Sequence, residues 1–140
     1  MILLDTNVVS ESMRPRPDPH VMDWLNSTET ASLYVSSITV AEIEYGLHLL
    51  SAGRRRTDLE SRFRRFIGEG FENRVMVFDV AAAVEYGMIM ALRRSAGQPM
   101  ASLDGRIAAI ARSRGLVLAT RNMVDVEDCG VVIVNPFLPG

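Results

Sequence analysis

Short apolar runs rich in Val, Ile and Leu alternate along this chain with longer stretches of helical periodicity, and this alternation restricts the folds open to it more than any other feature. The runs that read as strands are Met1 to Asp5, Leu33 to Ser36, Val75 to Phe78, Leu116 to Thr120 and Val131 to Val134. Most are apolar at successive positions, so both faces of each strand need cover, as in a buried parallel sheet. Between them, Thr39 to Leu50 places Val40, Ile43, Leu47 and Leu50 on one helical face. Thr57 to Phe66 repeats the pattern with Leu59, Phe63 and Phe66. Asp79 reads as the N-cap of a helix running through Tyr86 and Met90 towards Arg93, stopped by Gly97 and Pro99. A last helix carries Ala108, Ile110 and Ala111 and closes at Gly115. The Pro-rich segment from Arg14 to Pro19 is expected to turn between two short helices. The fold class is α/β, and with 140 residues, 48% of them hydrophobic, residues 1–140 are expected to form one domain.

Composition removes several classes of function. No segment approaches the roughly 20 apolar residues of a membrane span, and Met1-Ile2-Leu3-Leu4 meets a carboxylate at Asp5, so a cytoplasmic protein without membrane contact is expected. Cys129 is alone, which excludes an intramolecular disulfide and leaves a partly buried free thiol as its reading. A formal charge of -2 is wrong for a protein that coats DNA, so any nucleic-acid site must be a local patch. All 15 basic residues are arginine. Without lysine there is neither a P-loop nor Schiff-base chemistry.

Acidic residues recur where a strand ends or the next helix begins, the edge at which open parallel sheets bind ligands. Asp5 ends the first run, Glu42 lies early in the helix after the second, Asp104 opens the last helix, and Asn122 follows the fourth run with Asp125 three residues on. Taken singly, each has a structural reading. Thr39 and Glu42 have capping-box spacing, Asp104 suits a cap, and Asp5 and Asn122 suit turns. Together they point elsewhere, because carboxylates converging within ~4 Å repel by about 4 kcal/mol per pair at an effective dielectric near ~20. A hard divalent cation relieves that repulsion, and oxygen ligands suit Mg²⁺ or Mn²⁺.

The strings Met1-Ile2-Leu3-Leu4-Asp5-Thr6-Asn7, Ser37-Ile38-Thr39-Val40-Ala41-Glu42-Ile43-Glu44-Tyr45-Gly46, Asp104-Gly105-Arg106-Ile107-Ala108-Ala109 and Ala119-Thr120-Arg121-Asn122 resemble, in order, the motifs of PIN-domain ribonuclease toxins of the VapC family, in particular its FitB-like branch. The likeness runs to Asn135-Pro136-Phe137. It implies a three-layer α/β/α sandwich around a parallel sheet and an acidic metal site of Asp5, Glu42 and Asp104. It also implies a homodimer, RNA as substrate, and a cognate antitoxin encoded by the adjacent gene, through which any specific DNA contact would be made. Several relatives carry Asp where this chain has Asn122, so the fourth ligand falls to Asn122 or Asp125.

On this reading the chain is the toxin of a type II toxin-antitoxin system and a Mg²⁺-dependent endoribonuclease. The ion held by the carboxylates lowers the pKa of a water that attacks phosphorus, leaving a 5′ phosphate and a 3′ hydroxyl. Thr6, Asn7, Thr39 and Thr120 are candidates for orienting the carboxylates, with turn or cap duty as the alternative. The run Arg54-Arg55-Arg56, continued by Arg62, Arg64 and Arg65, suits phosphate binding, or equally a solvated helix face balanced by Asp58 and Glu60. Packing, ahead of stacking on a base, is the expected role of Tyr45 and Tyr86. The stretch with Met88, Ile89, Met90 and Leu92 is expected in the core or a dimer face, and His20 and His48 at the surface or helix ends. Two rival readings are an inactive PIN-fold module that only binds a partner, and a nucleotide-binding or phosphatase-like α/β domain. The second lacks a Gly-rich loop after the first strand and has Asn7 where a phosphatase of the haloacid type needs its second acid.

Overall fold

The computed structural model describes residues 1–139. Five strands, β1 (Ile2–Leu4), β2 (Leu33–Ser36), β3 (Val75–Met76), β4 (Val117–Ala119) and β5 (Ile133–Val134), form one sheet in the order β3-β2-β1-β4-β5. All four pairings are parallel. Six α-helices connect and cover them: α1 (Thr6–Ser12), α2 (Pro19–Ser27), α3 (Ser37–Leu49), α4 (Arg54–Arg65), α5 (Val80–Ser95) and α6 (Ser102–Arg114).

Strand alternation explains the layers. Leu3 and Leu118 point into a core built with Ala82 and Ile89 of α5 and Ile107, Ala108 and Ile110 of α6. Their neighbours Leu4 and Ala119, with Leu33 and Val35, point into a second core made by Val8 and Val9 of α1, Val21 of α2, Ile43 and Leu47 of α3 and Phe63 of α4. Successive strand residues face opposite sides, so the sheet lies between two helical layers and the expected α/β/α sandwich is what the chain forms.

Local boundaries differ from the sequence reading in informative ways. α3 starts at Ser37, capped by the Ser36 hydroxyl, which accepts a hydrogen bond from the Thr39 amide at 3.0 Å. Thr39 is therefore inside the helix, and the capping-box reading of Thr39 and Glu42 fails. α4 starts at Arg54 rather than Thr57, with Gly53 at its N-terminus making no side-chain cap, and runs on into a π-helical turn at Phe66–Gly70. Its first turn holds Arg54, Arg55 and Arg56, the wrong charge for the positive end of a helix dipole, which is why sequence rules passed it over. Strands β3 and β5 are shorter than the apolar runs Val75 to Phe78 and Val131 to Val134 that contain them. They are the two edge strands, where only one neighbour supplies hydrogen bonds. Arg14 to Pro19 joins α1 to α2 as expected, Asp18 capping α2 with Pro19 in its first turn. No helix among the described residues is long and apolar enough to cross a membrane.

In the strand order the chain moves outward from β1 to β2 and β3, then returns to the other side of β1 for β4 and β5. The reversal places a crevice beyond the carboxyl ends of β1 and β4, the position where open α/β sheets take their ligands.

Candidate active site

Asp5 leaves β1 directly into that crevice. Its backbone amide still donates to the Ala119 carbonyl at 2.9 Å, while its side chain caps α1 by accepting from the Thr6 amide at 2.8 Å. Only 7% of the residue is exposed. Its second carboxylate oxygen accepts from the Thr120 hydroxyl at 2.7 Å and from Asn7 Nδ2 at 3.3 Å. Burial nevertheless dominates and raises the Asp5 pKa above the ordinary carboxylate value. The Thr120, Thr6 and Asn7 hydrogen bonds lower it, and the Glu42 charge adds to the rise.

Two relays of hydroxyl groups tie the acids to neighbouring elements. The Thr6 hydroxyl donates to Glu42 Oε1 at 2.9 Å and so accepts from Thr39 Oγ1, also at 2.9 Å. α1 and α3 are thereby joined at Glu42. Thr120, fully buried after β4, donates to Asp5 and accepts from Asn7 Nδ2 at 3.3 Å and the Asn122 amide at 3.2 Å. All four residues expected to orient the carboxylates thus belong to one network, and each hydrogen bond ending on a charged oxygen is of the stronger, charge-assisted kind. Replacing Thr120 by Val should destabilise the fold by about 1–3 kcal/mol, because the Asn122 amide and Asn7 lose an acceptor and Asp5 loses a donor. A chemical-denaturation curve with an unchanged slope and an unchanged midpoint would contradict this.

Asp104 sits in the first turn of α6, whose N-cap, Ala101, makes no side-chain hydrogen bond. The expected cap role of Asp104 is therefore absent. Its pKa is raised, first by desolvation, then by the charges of Asp5 and Asp125. Asp5 feels Glu42, and Asp104 feels both Asp5 and Asp125. The four acids named from sequence therefore form one electrostatic cluster. Among the described residues no Arg or His pairs with any of them, although eight ion pairs form elsewhere. No three Asp, Glu, His or Cys side chains among the described residues converge closely enough to form a cation cage as they stand. Asn122 opens a 3₁₀ turn, Met123–Val126, without capping it by its side chain, and its carbonyl accepts from the Asp125 amide at 3.1 Å.

Other expectations divide. Tyr86 packs edge-on against Phe78, ring centroids 5.8 Å apart, whereas Tyr45, one helical turn after Glu42, is 68% exposed and does not pack. Ile89 and Met90 reach the core, but Met88 and Leu92 are exposed. Cys129 is fully rather than partly buried. Of the arginine run, Arg56 pairs with Glu60 at 2.7 Å and Arg64 with Glu44 and Glu60. Arg62 donates to the Met13 carbonyl. Arg54, Arg55 and Arg65 are exposed and form no ion pair among the described residues. His48 lies in the exposed last turn of α3, as expected, and meets Arg56 at 2.5 Å and Glu44 at 3.8 Å. Sequence reading did not single out Arg93 and Arg112, which hold the segment around Asp125, because an arginine that binds backbone carbonyls leaves no spacing pattern.

Residues 2–123 match the family model described as the PIN domain. The VapC ribonuclease Y4jK of Sinorhizobium fredii is 39% identical over 139 residues, covering 99% of each chain. The toxin FitB of Neisseria gonorrhoeae is 39% identical over 137 residues, covering 98% of this chain and 99% of its own. Among solved structures, that of FitAB bound to an IR36 DNA fragment superposes with a TM-score of 0.94 at 37% identity, covering 100% of this chain and 98% of the other. With the buried acid at the end of β1, the hydroxyl relays around it and the facing acids on α3 and α6, these similarities establish that the chain belongs to the PIN-domain family, in the group of the VapC and FitB toxins.

Proposed function

We propose that this protein is an endoribonuclease toxin that hydrolyses RNA phosphodiester bonds with the help of Mg²⁺ or Mn²⁺, and that a cognate antitoxin holds it in check. The observation that carries the reading is the cluster of Asp5, Glu42, Asp104 and Asp125 at the β1/β4 crevice without a cationic partner among the described residues. An all-oxygen donor set with excess negative charge suits a hard divalent cation, with Asp5, Glu42 and Asp104 holding it and Asn122 or Asp125 completing the set. Bound there, such an ion would supply Lewis acidity to water and to a phosphate oxygen.

The chain's own groups do the rest. Asp5 has three donors fixed on its carboxylate and serves as a rigid anchor. Asp104 is half-buried and its carboxylate accepts no hydrogen bond among the described residues, which leaves it the freer of the two to accept a proton from the attacking water. The water oxygen bonds to phosphorus, the bond to the 3′ oxygen breaks, and that oxygen leaves as a hydroxyl after taking a proton from solvent. A 5′ phosphate remains on the other fragment.

Exposed Arg54 and Arg55 are the candidates of the arginine run for gripping substrate phosphates, with Arg56 partly committed to Glu60. Replacing Arg54 and Arg55 together by Ala should weaken RNA binding several-fold and flatten its dependence on salt, since fewer counterions are released. A filter-binding series from low to high salt with an unaltered slope would leave these residues as solvated helix surface. A homodimer is supported by α5, on which Val80, Val84, Met88 and Leu92 recur every fourth residue and are all exposed. The antitoxin and any DNA contact through it are supported by the likeness to the DNA-bound FitAB assembly. RNA as target places the action in the cytoplasm.

The deciding experiment incubates the purified chain with a mixed RNA pool, with Mg²⁺, Mn²⁺ or EDTA, and analyses the new ends. Cleavage that stops in EDTA and leaves 5′ phosphates is expected. Cleavage that persists in chelator with 2′,3′-cyclic phosphate ends would mean attack by the ribose hydroxyl, and the reading would fall.

A further inference from the structure

Asp125 lies on the connection between β4 and β5, which after its single 3₁₀ turn has no regular structure until Ile133. Two arginines fasten this connection to the helical layer beneath. Arg93, in the last turn of α5, is 7% exposed and donates from Nη1 to the Glu127 carbonyl at 2.8 Å and from Nη2 to the Asp125 carbonyl at 3.3 Å. Arg112 of α6 donates from Nη1 to the Cys129 carbonyl at 3.0 Å and pairs through Nε with Glu85 of α5 at 2.9 Å. Gly130 lies against the Arg112 guanidinium so closely that a Cβ there would stand 2.4 Å from Nη1. With Asp128 at φ 60° and Gly130 at φ 74°, the chain bends sharply between these bonded carbonyls.

Arg93 is an expensive way to fill this space. It has no carboxylate partner among the described residues, and its buried Nε has no hydrogen-bond partner. A buried guanidinium without a paired anion is unfavourable, and an apolar side chain would fill the same volume without that penalty. What an apolar residue could not do is bind two carbonyls on either side of Val126 with a planar fork. Those carbonyls set where the Asp125 backbone stands, and the Asp125 charge is one of the two that act on Asp104.

We propose that Arg93, backed by Arg112, is a positioning residue that holds the Asp125 segment so that its carboxylate faces Asp104 across the crevice. This rests on the acidic-site reading above and adds to it the residue that completes the site's outer wall. Arg93 acts through backbone carbonyls and touches neither substrate nor cation.

The test titrates Mn²⁺ by calorimetry into the wild-type chain, Arg93→Lys, Asp125→Ala, the double variant and Asp104→Asn, and follows amide exchange over residues 122–130. Lysine keeps the charge and loses the fork, so the fold is retained while at most one carbonyl is held. Arg93→Lys should bind Mn²⁺ about tenfold more weakly, as partners that orient ligands generally do when altered. It should also speed exchange in the segment, and it should cause no further loss once Asp125 is Ala. Unchanged Mn²⁺ affinity in Arg93→Lys, or the same tenfold loss in the Asp125→Ala background, would overturn the proposal while Asp104→Asn still weakened binding. Full Mn²⁺ affinity in Asp104→Asn would overturn the acidic-site reading and this inference together.

Discussion

Replacing Asp104 by Asn should lower RNA cleavage by about 10²–10⁴-fold and, in the absence of divalent cation, raise the melting temperature at pH 7 by a few degrees. The second effect follows from the charge environment. Desolvation, then Asp5, then Asp125 disfavour the ionised form of Asp104 and raise its pKa above the unfolded value. A group with a raised folded pKa contributes stability that is fully present below its unfolded pKa and is lost as pH rises through the folded one. At pH 7 the cation-free protein has lost that contribution and carries an unfavourable charge, which a neutral amide of the same shape removes. The advantage of Asn should therefore shrink as pH falls and vanish below the unfolded Asp value near 3.8, where both states are protonated. Mn²⁺ should raise the melting temperature of the wild-type chain by mass action and that of the variant much less. Thermal melts in EDTA and in Mn²⁺ across this pH range check each part. A lower melting temperature for the variant in EDTA at pH 7 would show Asp104 to be a stabilising group, contrary to its place in the cluster. Asp5→Asn is a different case despite its raised pKa. Three donors converge on the Asp5 carboxylate, so an amide would turn an NH₂ towards Thr120 or Asn7 and offset any gain from removing the charge.

Much of this was legible in the sequence because strands and functional acids obey local rules. Leu3 and Leu4 are apolar in succession because one enters each core, and Asp5 breaks the run where the sheet ends. Thr6 and Thr120 were visible only as neighbours of acids; that one would bridge to Glu42 and the other to Asp5 depends on contacts 36 and 115 residues apart in sequence, which no local pattern carries. The capping-box reading of Glu42 failed for a related reason. Ser36 and Thr39 both have capping side chains, and only the length of β2 decides which of them starts the helix. Tyr45 was expected to pack because its helix is amphipathic, yet its position falls on the solvent side rather than the core side of α3. The arginine clamp lay beyond sequence reading altogether, since its acceptors are main-chain oxygens.

α4 presents the sharpest contrast between what looks important in sequence and what holds the structure, and Phe63→Ala exposes it. The helix Arg54–Arg65 is dominated by charge, but it docks on the core through one fully buried ring, Phe63, with the half-buried Leu59 packed against the same core. Removing a buried Phe side chain costs about 3–5 kcal/mol, a large share of the roughly 5–15 kcal/mol that stabilises a domain. The melting temperature should fall by roughly 10–20 °C. The ion pairs that Arg56 and Arg64 make with Glu60 and Glu44 are partly exposed and screened by water, so Glu60→Gln should leave the melting temperature nearly unchanged. Because Phe63 lies in the core shared with Val8 and Val9 of α1, the helix that Asp5 caps, loss of the ring should also loosen the crevice from below. Amide exchange in Phe63→Ala should then rise in α4 and in α1 together, while α5 and α6, packed in the other core, stay protected. If Glu60→Gln destabilised the chain as much as Phe63→Ala, charge rather than burial would be what binds α4 to the core. If exchange rose equally in both layers, the two cores would unfold as a unit and the crevice could not loosen on one side alone.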